Sequence, residues 1–165
     1  MTRTQAVIEI GSTGIRLLVV ELDGSGQPHW KTIDRAELPI SLGRDVFTTG
    51  SVSRDTLLSC LHIIYRFQEE IKTWHIPPEA VLVFATSALR TARNRDAVLD
   101  RIMVKTGYRV RVIDGIEQNR LMYLAVRECF KENLFLLEEH DTIILEVGGG
   151  ATDIMLMARG QIAGV

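Results

Sequence analysis

Residues 144–153, ILEVGGGATD, join an apolar strand that carries one acid, Glu146, to a run of three glycines. The apolar residues then resume as IMLM. Residues 7–20, VIEIGSTGIRLLVV, repeat this order and align with ILEVGGGATDIMLM without a gap, so that Glu9 stands over Glu146. Two hairpins of strand, acid, glycine turn and strand, placed this far apart in one chain, indicate a duplicated fold with a shortened second copy. Chance similarity between two short apolar hairpins is the alternative.

The periodicity of apolar residues predicts the element order β-β-β-α-β-α-β-α, followed by two further strands. The predicted strands cover residues 5–10, 15–22, 29–38, 80–85, 109–113, 142–147 and 152–158, and the predicted helices cover 53–74, 94–106 and 116–131. A hairpin turn is expected at 23–27 and a loop at 39–52. Ser53 and Asn94 are the predicted helix N-caps, and Gly107 is the predicted stop. Strands that alternate with helices favour a sheet covered by helices.

The composition of the 165 residues is typical of a soluble globular chain, with 46% hydrophobic and 24% charged residues. The formal net charge of −2 offers no general attraction for nucleic acid or membranes, so no DNA partner is expected and any anion site must be built locally. Cys60 and Cys129 lack metal-ligand spacing, and no apolar run approaches about 18 residues. We therefore expect a cytoplasmic protein that is not associated with a membrane.

The glycine turns of both hairpins suit phosphate, because backbone N–H groups can approach an anion closely where no Cβ intervenes. Ser12, Thr13 and Thr152 can add hydroxyl donors. Glu9 and Glu146, one near the end of each strand that enters a turn, would repel a phosphate unless a divalent cation or a polarised water lay between them. Both are thus candidate ligands of Mg²⁺ or of water. A pair of ordinary hairpin turns, with each glutamate at a sheet edge, is the alternative interpretation.

Two further stretches carry candidate site residues. ATSALRTARNRD follows a strand and contains Arg90, Arg93 and Arg95, and an arginine there could clamp a phosphate with two hydrogen bonds. A solvated helix face is the alternative for Arg93 and Arg95. DGIEQNRLMYLAV opens a helix after a strand, at the edge where such sheets bind ligands. Its first turn contains Glu117, for which an ordinary interaction with the helix dipole is the alternative.

Four motifs resemble those of one family. IEIGSTGIR resembles the DLGSNSxR phosphate loop of the exopolyphosphatase and guanosine pentaphosphate phosphatase family, and ATSALRTARN resembles that family's second motif. IDGIEQNRLMYLAV is similar to its ISGxEEARLxYxGV segment, and LEVGGGATD to its DIGGGSTE loop. The four motifs occur in the family's order and spacing and span nearly the whole chain. The family belongs to the actin–hexokinase–heat-shock ATPase superfamily, whose duplicated fold agrees with the paired hairpins.

The resemblance implies an α/β fold: a ribonuclease H-like domain of the actin and hexokinase type, βββαβαβα, followed by the first β-hairpin of a duplicated second domain. The expected domains are residues 1–135 and a truncated 136–165, because the element order restarts there. A phosphate cleft is expected between the halves. The hairpin from Thr142 to Ala158 would lack partners from its own domain, and its exposed strand edge favours a homodimer.

The resemblance also implies Mg²⁺-dependent hydrolysis of a terminal phosphoryl group from inorganic polyphosphate or guanosine pentaphosphate, with these or guanosine tetraphosphate as the bound ligand. The phosphate contacts that it implies are Ser12, Thr13, Gly14, Arg90, Gly148, Gly149, Gly150, Ala151 and Thr152. The implied metal ligands are Glu9, Glu146 and Asp153, and the catalytic candidates are Gln118, Glu117 and Glu146.

Several departures from the family's pattern fall on its chemistry. Gln118 stands where the family has its catalytic glutamate, and a neutral amide can orient the attacking water but cannot take its proton. Glu117 is adjacent, but one residue along a helix turns the side chain by roughly 100°. Asp153 is about one methylene shorter than the family's glutamate, and Asn119 replaces an alanine. The other changes are Glu9 and Glu146 for aspartates and Thr13, Gly14 and Ala151 for Asn, Ser and Ser.

Three functions are compatible with these residues. The first is a phosphohydrolase, whose rate the loss of a base would lower about 10²–10⁴-fold. The second is a catalytically impaired sensor that binds polyphosphate or the guanosine alarmone. The third is a nucleotide-dependent kinase of the wider superfamily, against which the stretch TSALRTARN argues.

Overall fold

The computed structural model describes residues 2–23 and 30–165, and its contacts divide the chain into two compact units, Met1–Val112 and Ile113–Val165. In the first unit the strands are β1 (Arg3–Ile10), β2 (Gly14–Leu22), β3 (Trp30–Pro39), β4 (Val81–Ala85) and β5 (Val110–Val112). Its helices are α1 (Leu42–Thr49), α2 (Arg54–Thr73), α3 (Ser87–Thr91) and α4 (Arg95–Thr106), with a 3₁₀ turn at Pro78–Ala80. The second unit contains α5 (Gly115–Cys129), a 3₁₀ turn at Lys131–Asn133, α6 (Phe135–Glu138), β6 (Thr142–Val147), β7 (Thr152–Ala158) and β8 (Gln161–Gly164).

The first unit is built on a five-stranded sheet of order β3-β2-β1-β4-β5. Strands β1, β2 and β3 are antiparallel neighbours, whereas β4 pairs parallel to β1 and β5 parallel to β4. The alternation along β1 buries Ala6, Ile8 and Ile10 in one cluster with Ile64 and Ile71 of α2. Helices therefore cover this sheet as predicted, and the α/β architecture is confirmed.

Helix α2 follows from local signals in the sequence. The Oγ atom of Ser53 accepts a hydrogen bond from the backbone N–H of Thr56 at 3.2 Å, so Ser53 is the N-cap that the sequence predicts. Its buried residues recur at helical spacing: Cys60, Leu61, Ile63, Ile64, Phe67 and Ile71. Helix α4 ends at Gly107, whose φ of 76° lies in the left-handed region that favours glycine, as predicted.

Two sequence-based expectations for the first unit need correction. The predicted loop at 39–52 contains helix α1, whose Leu42 and Val46 lie one turn apart and are buried. Two apolar positions are too few to establish a helical period, so the sequence did not predict this helix. Asn94 precedes α4, but its side chain makes no capping hydrogen bond there and binds the backbone of Val52 instead. The hairpin turn predicted at 23–27 falls almost entirely outside the described residues.

The second unit is α5 and α6 with an antiparallel sheet of order β6-β7-β8. Met122, Tyr123 and Val126 of α5 pack against a buried cluster of Ile144, Met155 and Met157. The expected hairpin is thus a three-stranded sheet. Strand β8 follows the two-residue turn Arg159–Gly160, in which both residues have positive φ. Asn-Gly and Asp-Gly are the usual sequence signals for such a turn, and an arginine with positive φ is uncommon. The Arg-Gly pair therefore gave no sequence signal for this turn.

The contacts assign α5 to the second unit, whereas the sequence placed the domain boundary between residues 135 and 136. The two divisions answer different questions. The contacts show which residues pack together, whereas the predicted boundary marks where the duplicated order of strands and helices begins again. The boundary between residues 135 and 136 therefore stays a prediction. Among residues 2–23 and 30–165, no helix is both long and apolar enough to cross a membrane.

Candidate functional site

The first loop, Gly11–Gly14, is a tight turn closed by a hydrogen bond from the N–H of Gly11 to the carbonyl of Gly14 at 2.9 Å. A Cβ on Gly11 would lie 3.0 Å from that carbonyl oxygen, so the turn favours glycine there. Ser12 is only 5% exposed, and its Oγ lies 2.9 Å from the Oγ of Ser87 at the start of α3. Thr13 is exposed on the turn. The predicted phosphate contacts Ser12 and Thr13 therefore sit in a constrained loop next to α3.

Helix α1 approaches the first loop through a glycine that sequence reasoning missed. The N–H of Gly43 donates to the carbonyl of Ser12 at 2.7 Å, and a Cβ on Gly43 would lie 2.9 Å from the Cβ of Ser12. Only glycine permits this approach without a shift. Gly14 has a weaker constraint: the carboxylate of Glu37 lies 2.6 Å from the position of its absent Cβ, but it is the end of a flexible side chain that can move away. A serine at this position, as in the family's motif, would displace Glu37.

The second loop, Gly148–Ala151, repeats the geometry of the first. The N–H of Gly148 donates to the carbonyl of Ala151 at 2.9 Å, which matches the bond between the aligned residues of the first loop. The registers also agree, because Glu146 pairs with Asp153 and Glu9 pairs with Arg16 at aligned positions. The sequence alignment of the two hairpins is thus also an alignment of their structures. Of the predicted contacts in this loop, Gly148, Gly149 and Thr152 are exposed, and Gly150 and Ala151 are half-buried.

Glu9, a predicted metal ligand, belongs to an ion-pair group across three strands. Arg16 on β2 lies between Glu9 on β1 and Glu37 on β3, with N–O distances of 3.4 and 2.9 Å. Partial burial lowers the pKa of the Arg16 guanidinium, but the two carboxylates outweigh that effect and raise it above its ordinary value. Arg16 therefore remains a cation beside Glu9. The arginine at the end of IEIGSTGIR was the available signal for this residue, and sequence reasoning did not use it.

The three arginines of ATSALRTARNRD have different environments. The guanidinium of Arg93 donates to the carbonyl of Thr49, and its backbone N–H donates to Gly50 at 2.9 Å, so Arg93 fastens the end of α1. Arg95 forms an ion pair with its neighbour Asp96 at 3.1 Å. Arg90 is half-buried in α3, one turn after Ser87. Of the three, Arg90 is the one that lies on the helix contacting the first loop.

Helix α5 opens with a cap and a cross-element hydrogen bond. The carboxylate of Asp114 accepts from the backbone N–H of Glu117 at 2.7 Å, which fixes the first turn. Gln118 donates from Nε2 to Oδ2 of Asp153 on β7 at 3.2 Å. The structure thus brings together a predicted catalytic residue and a predicted metal ligand, and both are half-buried. Glu117 is also half-buried, and the buried Oδ1 of Asn119 accepts no hydrogen bond from the residues that the structure describes.

Residues 19–165 match the Ppx/GppA phosphatase family. The chain belongs to this family. It is 30% identical over 148 residues to exopolyphosphatase 1 of Mycobacterium leprae (strain TN), an alignment that covers 90% of this chain and 41% of that protein. It is 24% identical over 157 residues to the guanosine-5'-triphosphate,3'-diphosphate pyrophosphatase of Aliivibrio fischeri (strain ATCC 700601 / ES114), covering 94% of this chain and 29% of that protein. The Aquifex aeolicus PPX-GPPA enzyme has the same fold, with a TM-score of 0.78 and 25% identity over 99% of this chain and 51% of that one.

This Ppx/GppA family member spans from 29% to 51% of the length of these relatives. The family match includes α5 with Gln118 and the whole second loop, and it begins after the first loop. The structural likeness extends over nearly the whole chain, and so includes the first loop as well. Both hairpins are therefore part of the shared fold.

The carboxylates of the second unit suit Mg²⁺ by their chemistry. Glu146 and Asp153 are register partners on adjacent strands, and like charges directly opposite one another repel unless a cation lies near. Mg²⁺ prefers oxygen ligands and is commonly bound by one or two carboxylates together with waters and substrate phosphates. In the part of the chain that the structure describes, no group of three or more His, Cys, Asp or Glu residues could hold a metal ion. Glu146 and Asp153 thus offer two carboxylates on paired strands, a number of protein ligands that Mg²⁺ commonly takes when waters and phosphates supply the others.

Proposed function

We propose that this Ppx/GppA family member is a phosphohydrolase that removes the terminal phosphate from inorganic polyphosphate or guanosine pentaphosphate. The observation that carries the proposal is the pair of glycine loops with one turn geometry and one strand register. Backbone N–H groups of such turns form anion-binding concavities. Relatives named as an exopolyphosphatase and as a guanosine pyrophosphatase support both substrates.

The proposed phosphate contacts come from both loops and from α3. They are Ser12, Thr13, Gly14, Arg90, Gly148, Gly149, Gly150, Ala151 and Thr152. Arg90 is suited to a terminal phosphoryl group, because a guanidinium can hold two of its oxygens at once. The buried hydroxyl of Ser12, bonded to Ser87, gives the first loop one defined conformation in which to receive a phosphate.

Mg²⁺ is the proposed cofactor, and the proposed metal ligands are Glu9, Glu146 and Asp153. When bound, the ion would neutralise charge on the phosphate oxygens. Arg16 bears on the role of Glu9, since that carboxylate already interacts with a guanidinium.

Release of inorganic phosphate by the full-length protein with Mg²⁺ tests the proposed function on both substrates. The matched variants are Gly11→Val and Gly115→Ala. A Cβ at Gly11 would lie 3.0 Å from the carbonyl oxygen of Gly14, so a valine there crowds the hydrogen bond that closes the first turn, whereas a Cβ on Gly115 meets no atom within 4 Å. We expect phosphate release to fall at least tenfold in Gly11→Val and to be unchanged in Gly115→Ala. Equal rates in all three proteins, or no release by the unmodified protein on either substrate, would contradict the proposal.

A phosphate-ligand sensor is the second candidate, and Gln118 is the observation that favours it. Its side-chain amide donates a hydrogen bond to Asp153, and an amide cannot take a proton from water as a carboxylate can. This candidate requires that calorimetry detect binding of polyphosphate or guanosine pentaphosphate without turnover. If calorimetry detects binding of neither polyphosphate nor guanosine pentaphosphate, this candidate is eliminated.

A further inference from the structure

Strand β1 extends past its parallel neighbour β4 at the end of the sheet that lies opposite the first loop. Pairing between the two strands begins at Ala6, opposite Val81, whereas β1 itself begins at Arg3. On its other edge, β1 is paired with β2 from Arg3 onwards, in an unbroken register. The first three residues of β1 therefore have one open edge, on the β4 side.

The backbone of Thr4 points to this open edge. The N–H of Thr86, which follows β4, donates to the carbonyl of Ile10 at 3.3 Å, so that carbonyl points to the β4 side of β1. Successive residues of a strand direct their backbone groups to alternate edges, and Thr4 is an even number of residues from Ile10. Both the N–H and the C=O of Thr4 are therefore directed away from β2.

The segment that crosses this edge between α2 and β4 leaves it open. Pro77 and Pro78 have no N–H, and the N–H of Ala80 donates to the carbonyl of Pro77 at 2.9 Å within a 3₁₀ turn. Among the residues that the structure describes, none in 75–80 forms a backbone hydrogen bond with Thr4. The backbone of Thr4 thus keeps a donor and an acceptor for a partner outside this segment.

A cavity of about 410 Å³ lies along the open edge, and Thr4 is one of the residues that line it. Ile76, which is 7% exposed, gives the cavity an apolar anchor. Arg3, His75 and Glu79 line it as well, so the site carries a guanidinium, an imidazole and one carboxylate. Across residues 2–23 and 30–165, neither Arg3 nor Glu79 takes part in an ion pair. Both charges are therefore available to a ligand.

The chemistry of the cavity matches the end of an extended peptide. One residue of an added strand offers an N–H and a C=O together, which is what the backbone of Thr4 requires. The open edge is only three residues long, so it can hold a short segment. A guanidinium such as that of Arg3 binds a carboxylate through two parallel hydrogen bonds. A free C-terminus combines main-chain groups and a carboxylate in one short segment.

We propose that this cavity binds the C-terminal residues of an extended peptide, with Thr4 pairing to the peptide main chain and Arg3 holding the terminal carboxylate. The peptide is added as a short strand beside β1, in the place that β4 leaves empty. Thr4 is seven residues from Gly11, which is about 23 Å along a strand. The peptide site is therefore separate from the first loop, and it does not depend on the proposed phosphohydrolase function.

Calorimetry with the full-length protein tests the role of the carboxylate. The probe is N-acetyl-Ala-Ala-Val with a free C-terminus, compared with the same peptide as its C-terminal amide. We expect the acid to bind at millimolar concentration or below, and Arg3→Ala to weaken it about fivefold or more while leaving the amide unaffected. Arg54→Ala, which removes an exposed cation at the start of α2, is the matched control and should change neither affinity. Thermal unfolding of both variants verifies that they are folded.

Proton–nitrogen NMR spectra of the same titration test the main-chain pairing. The amide proton of Thr4 should move downfield and exchange more slowly with solvent, because it gains a hydrogen bond, whereas the amide of Arg54 should not change. Equal affinity for acid and amide, or an equal loss in Arg3→Ala and Arg54→Ala, would overturn the proposal. Acetate that binds as tightly as the peptide, shifts that leave Thr4 unchanged, or no binding at millimolar peptide would overturn it too. Phosphate release is measured separately, so its absence would count against the proposed function alone.

Discussion

Arg16 lies opposite Glu9 across β1 and β2, at the register position that Asp153 occupies opposite Glu146 in the second hairpin. The two hairpins therefore share a backbone and differ in charge: acid and base in the first, two acids in the second. A cation is supplied within the first hairpin by the chain itself. The second hairpin has an amide, from Gln118, beside its acids.

Replacement of Arg16 by methionine should have a small effect on stability. The ion pairs to Glu9 and Glu37 are between partly exposed side chains, and such pairs contribute about 0–1 kcal/mol. We expect the free energy of unfolding in urea to fall by less than about 1 kcal/mol, and the difference to shrink in high salt. A loss that is large and independent of salt would contradict this view of the group.

Asn94 should stabilise the fold through its hydrogen bonds to Val52 rather than through a capping bond to α4. Its side-chain amide makes two hydrogen bonds of 2.9 Å to the backbone N–H and C=O of Val52, which is buried. Asn94→Ala leaves both backbone groups without these partners, at a cost of about 1–3 kcal/mol. Asn133→Ala, at an exposed position, is the matched control. Chemical denaturation of both variants measures the difference, and equal stabilities would rule out this clamp.

Asp45 should make stability depend on acidic pH. Hydrogen bonds from Ser53 and Thr56 hold the pKa of its carboxyl below the ordinary value of 3.8. A carboxyl whose pKa is lower in the folded state stabilises the fold above the unfolded value, and that contribution is lost as the pH falls through the folded pKa. We expect Asp45→Asn to be less stable than the unmodified protein at pH 7, with the gap closing below pH 3.8. Asp100→Asn, at an exposed position on α4, is the control, and a gap that widens on acidification would reverse the sign argued here.

The second unit should support self-association. Ile143, Leu145 and Ile154 are at least half exposed on one face of its sheet, whose opposite face packs against α5. Exposed apolar residues at a strand edge favour pairing with another copy, and a lysine there opposes it. We expect a dimer by sedimentation at high concentration and a monomer in Leu145→Lys, with Leu58→Lys on α2 as the control of matched exposure. A monomer at every concentration would contradict the predicted homodimer.

Much of the fold could be predicted from the sequence, because the deciding signals are local. The alternation of apolar residues identified β1 and β2, and Ser53 identified the start of α2, since each signal needs only a few adjacent residues. Helix α1 and strand β8 were missed. The first has only two well-spaced core positions, and the second depends on a turn with Arg159 in an uncommon conformation.

The residues of the candidate site were predictable from the sequence, but the contacts between their side chains were not. The alignment of Glu9 with Glu146 indicated matched hairpins, and the structure gives them one turn and one register. The family resemblance assigned a phosphate contact to Arg90 and none to Arg93. The actual role of Arg93 could not be predicted, because the end of α1, which Arg93 holds, lies close to it only in the folded chain.

The sequence by itself determined the order of strands β1–β7 and of helices α2, α4 and α5, the paired glycine loops and the replacement of the family's base by Gln118. All of these are properties of residue type and spacing. The tertiary structure alone decided that Arg16 would neutralise Glu9 and that Gln118 would hold Asp153. Both contacts join residues on different elements, and they depend on strand register and on how α5 packs over β7. A register shift of one residue would turn every side chain of a strand to the opposite face, so such contacts exist only once packing has set the register.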